Sequence, residues 1–207
     1  MLRSSVRLQS NNARCSRSVI VRAQQNGIGT SGNQRSGPTG LDVGGKRPTS
    51  PRAWETMSSS LRDAKLKALS PQEVIFAQER GAAVIDIRPT DLYTKGHVPG
   101  AKNVPFYQPI SGWSAWQVAR RLGYALLGAL NGTEINPNFD AEIAAVLPDP
   151  TSPAVIYCSI GGTLPTEDDK NGVQSRGLIA CYGLTQLGYN NLAIMKGGYG
   201  GWENSGR

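Results

Sequence analysis

The groups in this chain whose types and spacing could do chemistry are three cysteines, one histidine and a few charged residues near predicted strand ends. Cys15, Cys158 and Cys181 form an odd set with no CxxC spacing, which argues against a disulfide framework and against a zinc site; no metal or organic cofactor is expected. What remains is nucleophilic thiol chemistry. A thiolate attacks soft electrophiles such as sulfur, and its pKa must come down from about 8.5 through converging N–H groups or a helix N-terminus. Cys158 has the position for this: it follows the buried-type run Ala154-Val155-Ile156-Tyr157 and precedes Gly161-Gly162, whose freedom lets the first amides turn inward. It is expected to be presented at the exposed end of its strand. Cys181 has apolar neighbours and reads as core, although a resolving role opens if its sulfur lies within disulfide reach of Cys158.

The other polar candidates have a structural reading beside the chemical one. Asp86 and Arg88 close a second apolar run and read as an ion pair tethering a strand end, with substrate contact as the alternative. His97 sits inside Gly96-His97-Val98-Pro99-Gly100 and reads as a hydrogen-bonding turn residue rather than a general base, which transfer by a thiolate does not require. Arg176 opens a predicted helix, as an anion contact or a solvated cation.

These residues need elements to hold them. Ser70-Pro71-Gln72-Glu73 is a capping box with Pro at the first helical position, so a helix runs to about Arg80 and stops at Gly81. Residues 82–87 form a continuous β-branched strand of the type covered on both faces, and a short strand follows near Asn103-Val104. Apolar spacing predicts helices over Trp113–Gly128 and Pro137–Leu147. After Pro148-Asp149-Pro150 come the strand ending at Cys158, a long polar loop, a helix over about Gln174–Leu187 and a last strand at Leu192–Met195. Strands alternating with helices imply an α/β fold with a mostly parallel central sheet flanked by helices on both faces, and in such sheets ligands bind outside the carboxyl ends of the strands. Asp86, Arg88 and Cys158 all fall there.

Asp86-Ile87-Arg88 with Gly96-His97-Val98-Pro99-Gly100-Ala101 resembles the first signature of rhodanese-like domains, and Lys196-Gly197-Gly198 with Trp202 resembles the second. Cys158 stands between them where that family has its sulfur-carrying cysteine. The resemblance covers about residues 66–202 and implies a rhodanese-like domain in which Cys158 is the persulfide-forming nucleophile. It also implies that Gly161, Gly162 and Arg176 contact substrate while Asp86, Arg88 and His97 support the site. Gly112-Trp113-Ser114-Ala115-Trp116, Ala119-Arg120-Arg121-Leu122-Gly123 and Gln174-Ser175-Arg176 resemble a plastid subgroup of the family. One departure is clear: Arg176 lies 18 residues after Cys158 rather than about five, and the added segment brings Glu167, Asp168 and Asp169 against Lys170, which would repel a small anionic donor.

The charge of the chain is unevenly placed. Met1–Arg52 carries nine basic residues and only Asp42, whereas the remainder has 13 basic and 14 acidic residues, so the net +7 implies no nucleic-acid partner for the folded part. Residues 1–52 read as a transit peptide, cleaved near residue 23, and a disordered Gly/Ser/Pro-rich linker; residues 53–207 read as one domain. The resulting expectation is a chloroplast sulfurtransferase, of stroma or thylakoid, passing sulfur from a small donor or protein persulfide to a thiophilic acceptor or protein thiol. A non-catalytic rhodanese module stays open as the rival. It would act as a scaffold peripherally associated with thylakoids through Trp113 and Trp116, since their helix is too short and charged to span a membrane. The oligomeric state is not legible.

Overall fold

A chain begins a helix where a side chain can take the first free N–H groups and proline can occupy the first turn. Ser50 and Pro51 do this for α1 (Pro51–Asp63), the Ser50 hydroxyl accepting from Ala53 N. The computed structural model describes residues 41, 43–109 and 133–206. The leader, Cys15 and the Trp113–Gly128 segment with Trp113 and Trp116 lie outside the described residues.

After α1 come β1 (Lys67–Leu69), α2 (Pro71–Glu79), β2 (Ala83–Asp86), α3 (Thr90–Lys95), β3 (Lys102–Asn103), β4 (Tyr107–Pro109) and β5 (Thr133–Ile135). They are followed by α4 (Phe139–Val146), β6 (Ala154–Tyr157), α5 (Arg176–Gln186), β7 (Leu192–Met195) and α6 (Gly198–Asn204). The capping box of α2 is formed as the sequence requires, with reciprocal Ser70 and Glu73 bonds. Five parallel strands make the main sheet in the order β1-β7-β6-β2-β3, and β4 pairs antiparallel with β5 in a separate ribbon.

Alternation along the strands separates two cores. Ile85, Ala154, Ile156, Leu192 and Ile194 face α1, α4 and α5, whereas Val84, Val155, Tyr157, Ala193 and Met195 face α2 and α6. The sheet is therefore covered by helices on both sides, the parallel α/β class. Each central strand is apolar throughout because both of its faces are buried.

The linker expectation is corrected at its C-terminal end. Val43 is buried in the α1/α5 core, Leu41 packs against it, and α1 itself starts inside the expected linker. One valine that finds an apolar site, together with a capped helix start, outweighs the polar composition around them. β1 reads in sequence only as an apolar stretch; it pairs with β7 from Lys67↔Ala193 to Leu69↔Met195, a long-range pairing with no local signal.

Candidate functional site

β6 ends at Tyr157, and the next residue, Cys158, continues its alternation onto the α5 side, where it joins the core cluster of Ile156, Leu178 and Cys181. It is only 4% exposed. The expected exposed nucleophile is thus corrected to a covered one, because the first turn of α5 closes over it. A Cβ placed on Gly177 would stand 3.1 Å from Cys158 Sγ and 3.0 Å from Ile194 Cδ1, so α5 approaches this closely only because residue 177 has no side chain.

The loop that follows is held on three sides. Tyr199 N donates to Cys158 O (2.8 Å) and Gly200 N to Ser159 O (3.0 Å), tying it to the first turn of α6. Gly161 (φ +74°) and Gly162 (φ +85°) turn the chain in the left-handed region. A Cβ on Gly161 would meet Met195 O and the amides of Gly197 and Gly198 within 2.8 Å, and one on Gly162 would meet Val173 O and Ser175 Oγ at 2.6 Å. Ser175, 4% exposed, supplies the third tie: its hydroxyl donates to Gly161 O (2.5 Å) and accepts from Leu178 N (3.1 Å), capping α5 and fastening it to the cysteine loop in one group. Sequence reasoning placed Ser175 at the helix start without assigning it to the site. A serine just before an apolar helical run was the available signal.

The 18-residue separation of Cys158 and Arg176 has a simple structural meaning. Thr163 and Val173 exchange both backbone hydrogen bonds (3.0 and 2.9 Å), so the extra residues leave and return across one antiparallel bridge. The cradle resumes at Ser175 as though they were absent. The excursion is organised: Asp169 Oδ1 accepts from the amides of Asn171 and Gly172, Trp54 Nε1 of α1 donates to Asn171 O (2.8 Å), and Gln174 Nε2 donates to Pro48 O (2.7 Å).

Among the described residues, the amides of Ser159, Ile160 and Gly161, and the first-turn amides of Arg176 and Gly177 that the Ser175 hydroxyl does not take, meet no protein acceptor. Of these, the first-turn amides belong to a helix N-terminus that lies against Cys158 Sγ, a position suited to hold negative charge. Burial pushes the Cys181 thiol well up, with Cys158 adding to the effect, which keeps Cys181 protonated as a core residue.

The remaining candidates separate. Arg88 makes a bidentate pair with Asp86 (Nη2–Oδ2 2.7 Å, Nε–Oδ1 3.0 Å), donates to Gly96 O (2.6 Å) and stacks over the Tyr199 ring with Cζ 3.8 Å from its centroid. Asp86 also accepts from Arg88 N, so the pair locks the chain reversal after β2. Tyr157, whose hydroxyl accepts from Val98 N, has its ionisation pushed up by burial and by the neighbouring Asp86 carboxylate. His97 is exposed, stacks on Tyr93 and donates from Nδ1 to Tyr93 O at 3.0 Å. Arg176 is exposed with its guanidinium over the Tyr107 ring of β4 at 4.8 Å. Cys158, Gly161 and Gly162 are thus brought together with Ser175 and Gly177, while His97 keeps its contacts with Tyr93 and Arg176 is engaged by β4.

The rhodanese-like domain family matches residues 70–205. The chain is 38% identical over 165 residues to rhodanese-like domain-containing protein 14, chloroplastic, of Arabidopsis thaliana, covering 77% of this chain and 73% of that protein. It is 26% identical over 126 residues to Protein HIGH ARSENIC CONTENT 1, mitochondrial, of the same plant, covering 61% of this chain and 55% of that one. Among solved structures, the thiosulfate sulfurtransferase of Pseudomonas aeruginosa superposes with a TM-score of 0.43 at 18% identity, over 74% of this chain and 22% of that one. With the family match spanning both sequence signatures and the cysteine loop between them, the chain belongs to the rhodanese-like domain family.

Proposed function

We propose that the protein is a chloroplast sulfurtransferase that carries sulfane sulfur on Cys158. The observation that supports this best is the placement of Cys158 Sγ against the first turn of α5, with five amides around the loop free of protein acceptors. In the first half-reaction the thiolate attacks the outer sulfur of a persulfide donor R–S–SH. The Sγ–S bond forms, the donor S–S bond breaks, R–S⁻ leaves, and Cys158–S–SH remains. In the second, an acceptor thiolate or another thiophile takes that outer sulfur and Cys158 leaves as thiolate. Donors and acceptors are small sulfur compounds or protein persulfides and thiols, and no metal or organic cofactor takes part. The chloroplast assignment follows the likeness to the chloroplastic Arabidopsis relative and the basic, carboxylate-poor leader, which serves as a transit peptide.

The test is intact-mass measurement after incubation with thiosulfate and, separately, with a persulfide donor. Wild type gains about 32 Da per transferred sulfur and Cys158→Ser does not. No adduct with any donor refutes the reading.

A specific observation favours a second reading. Cys158 is covered, and the acidic excursion stands beside its loop, as suits a binding module at the thylakoid membrane that keeps the fold without the reaction. That reading expects no adduct and membrane association that depends on Trp113 and Trp116. Full solubility of wild type and of the double alanine variant counts against it.

A further inference from the structure

At the carboxyl end of the sheet, on the side of α3 and α6, lies a cleft of about 360 Å3 walled mainly by Arg88, Lys95, Gly96, Ser159, Tyr199 and Glu203. Ser159 is the neighbour of Cys158 in the chain, so the cleft adjoins the cysteine loop without including the thiol itself. A side chain at Gly96 would collide with the Tyr199 hydroxyl, and the bare backbone there keeps that side of the cleft open.

The polar groups of this cleft are free to act. Among the described residues, the Lys95 ammonium, the Glu203 carboxylate and the hydroxyls of Ser159 and Tyr199 have no hydrogen-bond or ion-pair partner. Arg88 has Nε and Nη2 committed to Asp86 and Gly96 O, which leaves Nη1 unengaged. No buried side-chain nitrogen or oxygen among the described residues lacks a partner, so Nη1 must reach solvent, and the cleft is where Arg88 meets it. Asp86 balances the Arg88 charge. The net charges facing the cleft are therefore one cation, Lys95, and one anion, Glu203. A dianion such as thiosulfate gains Lys95 and meets the opposition of Glu203, whereas a zwitterion satisfies both.

We propose that this cleft binds a small zwitterion of amino-acid type, with its carboxylate at Lys95 and Arg88 Nη1 and its ammonium at Glu203. That the physiological ligand bears a thiol rests on the sulfur-carrier reading above; the match of charge does not.

The probes are L-cysteine, N-acetyl-L-cysteine, which lacks the ammonium, and L-cysteine methyl ester, which lacks the carboxylate. They are titrated into full-length Cys158→Ser protein, so that exchange at that thiol plays no part, and followed by amide NMR shifts at Ser159, Tyr199 and Gly200. L-cysteine should bind about twofold to fivefold more tightly than either analogue, the range an exposed ion pair supplies. Glu203→Gln should erase the preference over N-acetyl-L-cysteine alone, and Lys95→Gln the preference over the methyl ester alone. Equal affinity for the three probes, or no shifts at the three amides, overturns the proposal. Because no readout needs persulfidation, failure here leaves the sulfur-carrier reading to the mass measurement, and failure there leaves the zwitterion site standing.

Discussion

Replacing Gly177 by alanine tests where the transferred sulfur sits. The new Cβ would stand 3.1 Å from Cys158 Sγ and 3.0 Å from Ile194 Cδ1, against comfortable contacts of about 3.5–4.0 Å, so the neighbours must give by about half an ångström. Two effects compete in the reduced protein. Alanine gains about 1 kcal/mol over glycine in a helix, and overpacking a buried site costs about 1–3 kcal/mol. The expected net destabilisation is about 0–2 kcal/mol, which for a domain of this size lowers Tm by at most about 8 °C. The persulfide is affected differently. Its second sulfur lies about 2.05 Å beyond Sγ, and the Cβ occupies part of the space beside α5 where that sulfur and its amide donors must meet. Persulfidation should therefore fall by more than about tenfold, a factor that corresponds to only about 1.4 kcal/mol of lost anion stabilisation. The assays are a thermal melt and intact-mass kinetics with a persulfide donor. A variant that melts within these limits and is persulfidated at the wild-type rate refutes the argument that the first turn of α5 cradles the sulfur.

Three further outcomes follow from the same geometry. Ser175→Ala removes both the cap of α5 and the tie to Gly161 O and should cost about 1–2 kcal/mol in urea unfolding, with faster amide exchange at Gly161 and Gly162. Asp86→Asn leaves the buried Arg88 guanidinium without its countercharge and should cost about 3–5 kcal/mol by the same measurement, whereas Arg176→Ala, at an exposed position, should cost less than about 1 kcal/mol. Desolvation raises the Asp140 carboxyl above its ordinary value, so this group favours the folded state below its unfolded pKa and that contribution is lost as pH rises through its folded pKa. Relative to wild type, Asp140→Asn should accordingly be more stable at pH 7 than below about pH 4, read from paired melts across that range.

How much of this was legible depended on how local each cause is. The α2 capping box, the strands ending at Asp86 and Tyr157 and the strand Leu192–Met195 were readable because their signals are contained in their own residues. α1 was missed although Ser50-Pro51 carries a cap signal, because the Ser-rich run 58–60 and the linker-like composition before it masked the Ala53, Met57 and Leu61 face. β1 and the β4–β5 ribbon need partners elsewhere in the chain. The position of Cys158 was legible from the motifs around it. Its burial was not, because the cover comes from a helix turn 19 residues later whose only sequence mark is the glycine at 177.

The long loop after the cysteine shows best why counting residues misleads. A spacing of 18 positions from Cys158 to Arg176 suggests a cradle pulled apart, yet the cost of closing a loop grows only with the logarithm of its length, and the Thr163/Val173 bridge returns the chain to where a short loop would have it. The bridge is anchored where cradle and excursion meet: Gly162 packs on Val173 O, and Ser175, two residues on, bonds Gly161 O. What the insertion changes is therefore less the geometry at the sulfur than the charge nearby. Glu167, Asp168 and Asp169 are all exposed opposite Lys170, with Asp169 also accepting from the amides of Asn171 and Gly172. Exposed charges are screened over about 8 Å at physiological salt, so their repulsion of an approaching anion should fade as salt rises, while a distorted cradle would stay slow at any ionic strength. The salt dependence of persulfidation by an anionic donor separates the two explanations: a rate that climbs with salt assigns any sluggishness to the excursion's charge, and a flat one returns it to the geometry around the thiol.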